Sequence, residues 1–223
     1  MHELIHCYTF SNDNQNPNRG DNPISIQNTP SLQTNRLTLR KFTQSDLPAL
    51  LNIHSDKEVN KFLPMFPLKT LTGAKTYWEN QYAAAYKQKQ AYQYAICLKE
   101  DNIPIGYINI SMNDSHDLGY GLTKAFWHQG IVTEAGKAIL EQAKKDGIPF
   151  VTATHDRNNP RSGGVMIQLG MHYQYSYEEQ WQPKDQLVTF RMYQLNLADQ
   201  TSPVYKKYWD DSTVHFIEAD VTS

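Results

Sequence analysis

The stretch 119–135, Gly-Tyr-Gly-Leu-Thr-Lys-Ala-Phe-Trp-His-Gln-Gly-Ile-Val-Thr-Glu-Ala, reads as a strand, a tight glycine turn and a helix start. The backbone N–H groups of that first helical turn, residues 130–133, have no intrahelical acceptor and carry the positive end of the helix dipole. Their natural complement is an anion, a phosphate first of all. Two shorter motifs compete for a chemical reading. His2-Glu-Leu-Ile-His6 matches the H-E-x-x-H zinc pattern letter for letter and supports one alternative, a zinc hydrolase using His2 and His6. That pattern needs a helix set in a cleft and a third ligand. Here it begins at residue 2 beside an asparagine-rich arm, so it is read as coincidence and no metal site is expected. Gly119-Tyr-Gly121 opens like a dinucleotide fingerprint, but Lys124 stands where its third glycine belongs.

The elements around the glycine turn follow from periodicity. Ile131, Ala135, Ile139 and Ala143 recur at four-residue spacing with Val132 and Leu140 beside them, while Lys137, Glu141 and Lys145 fall outside the stripe. This is a helix with one face built for burial, ending near Gly147. Upstream, 37–42 alternates like a half-buried strand. A helix follows, with Ser45 as its cap, Pro48 in its first turn and Leu47, Leu50, Leu51 and His54 on one face. Pro64 and Pro67 break the chain, and a second helix from Thr72 carries Tyr77, Trp78, Gln81, Tyr82 and Ala85. Strands are expected at 92–98, 105–112 and 117–122, joined by short polar turns. Downstream come a short buried strand at 150–154, then a helix with Asn159 as N-cap, Pro160 at its first position and Val165, Met166 and Leu169 on its apolar face. Two last strands, 173–181 and 187–197, are linked through 182–186. The order is a mixed α/β plan and not a Rossmann alternation.

Composition narrows the function classes. The 223 residues hold 21 Lys+Arg against 23 Asp+Glu, and the pI is near 6.4. That balance argues against a general nucleic-acid binder and against a polybasic membrane-surface protein. Tyr86, Tyr92 and Tyr94 likewise read as core or strand-face residues, since a stacking platform needs a basic groove. Cys7 and Cys97 form no CxxC pair and are too few for a disulfide scaffold, so a reduced, cytoplasmic setting is expected. No apolar stretch reaches the length of a membrane span. Residues 11–35 hold seven Asn, three Pro and three Gln and read as a loose arm. The expected division is a polar extension over 1–35, one domain over 36–197 and a C-terminal extension over 198–223. The extensions are candidates for pairing two copies of the chain.

The element order, with Trp127-His-Gln-Gly-Ile-Val-Thr-Glu-Ala135 and with Asn158-Asn-Pro-Arg-Ser162 ahead of Leu169-Gly-Met171, resembles the GNAT N-acetyltransferase superfamily. It is most similar to the branch typified by ribosomal-protein N-terminal acetyltransferases. The resemblance covers about residues 37–197 and implies an α/β fold with a mostly antiparallel central sheet flanked by helices. It also implies a site for acetyl-CoA as co-substrate. The pyrophosphate would lie on the backbone of His128, Gln129, Gly130, Ile131, Val132 and Thr133, and the pantetheine arm would lie between the strand ending at Leu122 and the strand 150–154. Asn158 and Ser162 match family positions near the pantetheine and the thioester sulfur, and Arg161 is a candidate for the phosphates, an exposed arginine at a helix start being an equally good account of it. This chain departs from the broad pattern at three positions: Trp127 stands where a basic or amide residue is usual, His128 where Gly is frequent, and Val132 where Gly or Ala is usual.

What such a site must do is move an acetyl group to an amine. A lysine-type amine, with a pKa about 10.4, must lose a proton first; an N-terminal amine, about 8, needs less help. Asp117, two residues before Gly119 on the cleft strand, is the first candidate for proton acceptor, the alternative being a solvated carboxylate at a strand end. His155, Asp156, Glu178 and Glu179 rank behind it. A strand N–H near Leu122 is placed to polarise the thioester carbonyl, and Ser162 to hydrogen-bond the leaving sulfur, unless its hydroxyl serves only the helix start. The expected activity is transfer of acetyl directly to a primary amine, on a protein N-terminus or a small molecule. A non-catalytic acyl-CoA-binding module of the same fold is the alternative.

Overall fold

The computed structural model describes residues 27–198 and 202–221. Its first half forms an antiparallel sheet of five strands in sequence order: β1 (Leu32–Gln33), β2 (Leu37–Arg40), β3 (Tyr92–Leu98), β4 (Pro104–Ile110) and β5 (Leu118–Leu122). Between β2 and β3 lie α1 (Leu47–Ser55), α2 (Lys57–Asn60) and α3 (Leu71–Trp78). Then come α4 (Ile131–Lys145), β6 (Phe150–Asp156), α5 (Pro160–Gln168), β7 (His172–Trp181), β8 (Gln186–Asn196), α6 (Lys207–Asp211) and β9 (His215–Phe216). The last four strands form a second sheet in the order β6-β8-β7-β9.

The expected apolar stripe does the packing. Ile131, Ala135, Ile139 and Ala143 of α4 are all buried, in one cluster with Leu37, Leu39, Ile96 and Ile108 of the first sheet and Val151 and Ala153 of β6. Each such Ile or Leu contributes about 1.5–3 kcal/mol by leaving water. The opposite face of the first sheet is covered by α1 and α3, through Phe42, Leu50, Ile53, Tyr82 and Tyr107. Among them His54 is fully buried and stacks on Tyr107, its ring centroid 5.1 Å away; burial pulls its pKa down to about 4, so it packs as a neutral ring.

Several boundaries differ from the sequence reading. Ser45 does not cap α1. It lies in a one-turn lead-in, Gln44–Asp46, where the Asp46 carboxylate takes the Thr43 N–H at 2.7 Å and a bidentate pair from Arg40 at 2.8 and 3.0 Å. Residues 28–35 are not a loose arm: Thr29 is buried with its N–H on Ala91 O, Asn28 donates to Ala85 O, and β1 pairs with β2. Short polar segments escape periodicity rules because their anchors are single hydrogen bonds rather than apolar stripes. The strand expected at 150–154 continues to Asp156. His2 and His6, with the rest of 1–26, lie outside the described residues; among the described residues no group of three or more His, Cys, Asp or Glu side chains is arranged to hold a metal.

The C-terminal segment is built into the second sheet. Its β9 pairs with β7, its Tyr205, Tyr208 and Trp209 cover Tyr175, Tyr177, Val188, Phe190 and Met192, and Glu218 clamps it. The Glu218 carboxylate receives Arg191 at 2.6 and 3.0 Å and Ser176 Oγ at 2.6 Å, with Arg157 at 3.4 Å. The bond from Arg191 holds its pKa down to about 2. A depressed carboxylate stabilises the fold above its ordinary value of 4.5 and loses that contribution as pH falls through about 2. Glu218→Gln is therefore expected to destabilise the protein by about 1–3 kcal/mol at neutral pH. The gap between variant and wild type should narrow as urea unfolding is repeated from pH 4.5 downward; a gap that is constant with pH would contradict the clamp.

Candidate active site

The two sheets meet at one point and then part. Asp117 and Thr152 form an isolated parallel bridge, after which β5 and β6 diverge. In the β4–β5 ladder Ser111 N–H donates to Asp117 O and Thr123 N–H to Ile105 O. The alternation of an antiparallel pair then turns the backbone groups of Leu118, Tyr120 and Leu122 toward β6. Past the bridge these groups face a wedge rather than a strand. The wedge belongs to a cleft of about 1060 Å³.

One mouth of the cleft is the glycine turn. The first bond of the α4 ladder runs from Glu134 N–H to Gly130 O, so the amides of Ile131, Val132 and Thr133 precede it. Gly130 has φ 71° and His128 φ 61°. Both adopt the left-handed conformation, which explains why glycine suits position 128; histidine holds it at a cost of about 1–3 kcal/mol. The surrounding structure enforces the turn. Arg36 donates from Nη1 to Gln129 O at 3.0 Å and from Nε to Glu134 Oε2 at 2.7 Å, and Thr34 Oγ1 donates to Glu134 Oε1 at 2.6 Å. Although burial opposes ionisation, these bonds hold the Glu134 carboxyl below its ordinary pKa and neutralise the acid nearest the amides. Trp127 donates its indole N–H to Leu122 O at 2.8 Å and supports the Arg161 guanidinium 5.3 Å above its ring. An amide cradle with its one acid paired and an arginine alongside fits a diphosphate. Arg36, Thr34 and Glu134 were not singled out by sequence reasoning, since nothing local links residues a hundred positions apart.

The inner wall holds the expected hydroxyl and a partner for it. Ser162, near the start of α5, is half-buried, and its Oγ lies 2.9 Å from the Tyr120 hydroxyl, which also donates to Ser162 O at 2.8 Å. Burial keeps that phenol protonated well past its ordinary range. Tyr120 is the functional candidate that sequence reading passed over; its place between two glycines on the cleft strand was the available signal. Asn158 lies exposed on the rim, its N–H on Asp156 Oδ1 at 2.7 Å. His155 is buried beneath α5 with Nδ1 on Asp156 O, and a Cβ at Gly163 would stand 2.7 Å from its Nε2.

The face of β5 away from α5 is bare. A Cβ at Gly121 would lie 2.5 Å from the Tyr107 ring, which leaves no room for a side chain, and one at Gly119 would lie 2.8 Å from Asn109 Oδ1 and displace that amide. Asp117 is on this face at the apex of the wedge. Its side chain is partly buried, and that desolvation raises its pKa to about 7, with the field of Glu179 adding to the shift and one bond from Thr152 Oγ1, at 3.1 Å, opposing it. Phe62, Leu63, Trp181 and Phe190 line the same side, and Lys184 reaches across from the β7–β8 connection to Asn60 O at 2.7 Å. Glu178, by contrast, is tied to the C-terminal segment through its N–H on Val214 O, and Asp156 holds the turn into α5.

Residues 36–172 match the family described as acetyltransferase (GNAT) domain. The uncharacterized N-acetyltransferase p20 of Bacillus licheniformis is 29% identical over 115 residues, which is 50% of this chain and 64% of that protein, so less than two thirds of its length is spanned. A putative ribosomal-protein-serine acetyltransferase from Vibrio cholerae superposes with a TM-score of 0.65 at 16% identity, covering 77% of this chain and 99% of that one. Microcin C7 self immunity acetyltransferase MccE, solved in complex with acetyl-CoA and AMP, superposes with a TM-score of 0.65 at 16% identity over 73% of this chain and 93% of its own. These likenesses support the α/β fold of antiparallel sheets flanked by helices. For the glycine turn, Gly130→Val is expected to weaken CoA binding by about tenfold or more, since a β-branched residue is strained at positive φ and crowds the amides. Titration calorimetry with CoA checks this, and an unchanged dissociation constant would remove the cradle from the site.

Proposed function

The chain belongs to the GNAT acetyltransferase family, and from that premise we propose that it is an acetyl-CoA-dependent N-acetyltransferase acting on a primary amine. One observation carries the reading: a desolvated carboxylate and an amide-lined helix start open into the same wedge between β5 and β6. Bound acetyl-CoA supplies an activated acyl thioester. Its diphosphate is assigned to the amides of His128, Gln129, Gly130, Ile131, Val132 and Thr133, with Arg161 beside them, and its arm to the wedge past Leu122 and Asn158. The acceptor approaches over Gly119 and Gly121 from the Asp117 side. Asp117 takes a proton from the amine as its nitrogen bonds the acyl carbon and the carbon–sulfur bond breaks. Ser162, held by Tyr120, donates a hydrogen bond to the departing sulfur. A base with a pKa about 7 is well matched to an amine that must lose a proton near neutral pH.

For the acceptor we propose a protein N-terminus or a small-molecule amine, the former supported by the resemblance of 127–135 and 158–162 to the ribosomal-protein branch. A cytoplasmic location agrees with the buried Cys97 thiol, raised by burial to about 12, and with the lack, among the described residues, of a helix long and apolar enough to cross a membrane. We also propose that two copies pair through the terminal extensions; light scattering on full-length protein checks it.

Incubation with acetyl-CoA, following free thiol across serine- and alanine-initiated peptides and a panel of small amines, tests the reading. The acid limb of kcat/KM should follow a group titrating near 7, active when deprotonated, so the rate rises with pH through that value. Asp117→Asn should abolish that limb and lower kcat by about 10²–10⁴ with CoA affinity intact. Tight CoA binding with no turnover on any acceptor would favour a non-catalytic acyl-CoA-binding module instead.

A further inference from the structure

The segment after residue 201 lies outside the residues that match the family, yet it reaches the turn that leads into Asp117: Tyr205 donates its hydroxyl to Asp114 Oδ1 at 2.9 Å. Tyr208 of α6 stacks parallel on Tyr177, their ring centroids 5.3 Å apart and their planes 7° from parallel. Its half-buried side chain stands near Ser115 and Thr152, and Thr152 Oγ1 in turn lies 3.1 Å from Asp117 Oδ1 and 2.9 Å from Ser115 O. The segment that carries the ring is pinned at several points: Tyr205 N–H donates to Gln194 Oε1 at 2.9 Å, Tyr175 donates its hydroxyl to Tyr205 O at 2.6 Å, Trp209 meets Tyr175 edge-on, and Ser212 Oγ donates to Glu178 O at 2.8 Å. Beyond them stands the Glu218 clamp. So much fixation holds the Tyr208 ring on Tyr177.

We propose that the C-terminal segment is a functional wall of the acceptor site, in which Tyr208 is a positioning residue that keeps water from the Asp117 carboxyl and fixes Thr152 against it. The inference rests on the assignment of Asp117 as proton acceptor. The ionisable groups around that carboxyl are Glu179 and Tyr177 from β7, Tyr208 from α6 and Tyr120 from its own strand, with His116 next to it in the chain. Glu179 repels its charge. The three tyrosines are neutral, since burial raises each phenol, and the His116 ring is pushed toward its neutral form by burial. No cation in this set stabilises the carboxylate, so exclusion of water dominates its behaviour, and Tyr208 is the part of that enclosure contributed by the extension.

The full-length protein with carbon-13-labelled aspartate allows Asp117 to be titrated by NMR, identified by its loss in Asp117→Asn. Tyr208→Ala is expected to lower its midpoint by about one pH unit or more, because water reaches the carboxyl. The acid limb of kcat/KM should move down with it, and the CoA dissociation constant should stay within about twofold. Tyr208→Phe keeps the ring and should restore most of the midpoint. Glu218→Gln, which loosens the segment without altering the tyrosine, should shift the midpoint in the same direction and serves if Tyr208→Ala does not fold. A midpoint equal to wild type in Tyr208→Ala, or in Glu218→Gln where that variant stands in for it, overturns the proposal. Wild-type turnover in Asp117→Asn would instead overturn the proton-acceptor assignment, while the NMR midpoints would still report whether the segment encloses Asp117.

Discussion

Backbone hydrogen bonding across the gap between β5 and β6 is the constraint on which the rest of the site depends. Buried backbone N–H and C=O groups must find partners, and a continuous sheet would have supplied them. Here the strands touch only at Asp117 and Thr152. Past that bridge the groups of Tyr120 and Leu122 turn toward β6 across an open wedge. Trp127 caps one of them, the Leu122 carbonyl, from the glycine turn. The wedge suits a ligand that presents peptide-like groups, because an extended amide-bearing arm can replace the missing strand.

Everything at the mouth of the wedge follows from the same geometry. The chain must leave β5 and enter α4 within a few residues, which forces two left-handed positions, His128 and Gly130. That turn would be poorly determined by itself. Arg36, from the loop before β2, ties the Gln129 carbonyl to the Glu134 carboxylate and so fixes the turn and the helix start as one unit. The partnership also offsets the acid's negative charge near the amides with the guanidinium, which keeps the cradle receptive to an anion.

The two faces of β5 divide the chemistry. Tyr120 points to α5 and orders Ser162, where a sulfur would depart. Gly119 and Gly121 strip the other face of side chains, and Asp117 waits at its end in a setting dry enough to hold a proton near neutrality. An acid and a hydroxyl on opposite sides of one strand can serve bond formation and bond cleavage without competing for each other's protons. The aromatic rings of the C-terminal segment cover Tyr175, Tyr177 and Phe190 of the second sheet.

The sequence by itself determined the elements whose signals are local and repeated. The α4 stripe, the glycine turn, the antiparallel series before it and the Asn159–Pro160 start of α5 were all legible, because periodicity and turn chemistry act over a few residues. Within the site, the helix start at 130–133 was legible for the same reason, whereas Ser162 was named through the resemblance to the family. Other features had to wait for tertiary structure. The setting of Asp117 depends on Thr152 and Glu179, which come from distant segments. The bracing of Gln129 depends on Arg36, and the use of Ser162 on Tyr120. Residues 28–35 and the C-terminal segment looked like extensions because neither carries a periodic apolar stripe, yet single hydrogen bonds anchor the first and a partly buried ion pair joins the second to its sheet. Desolvation and ion pairing are properties of which surfaces meet, and the order of residues along a chain does not contain that information in any local pattern.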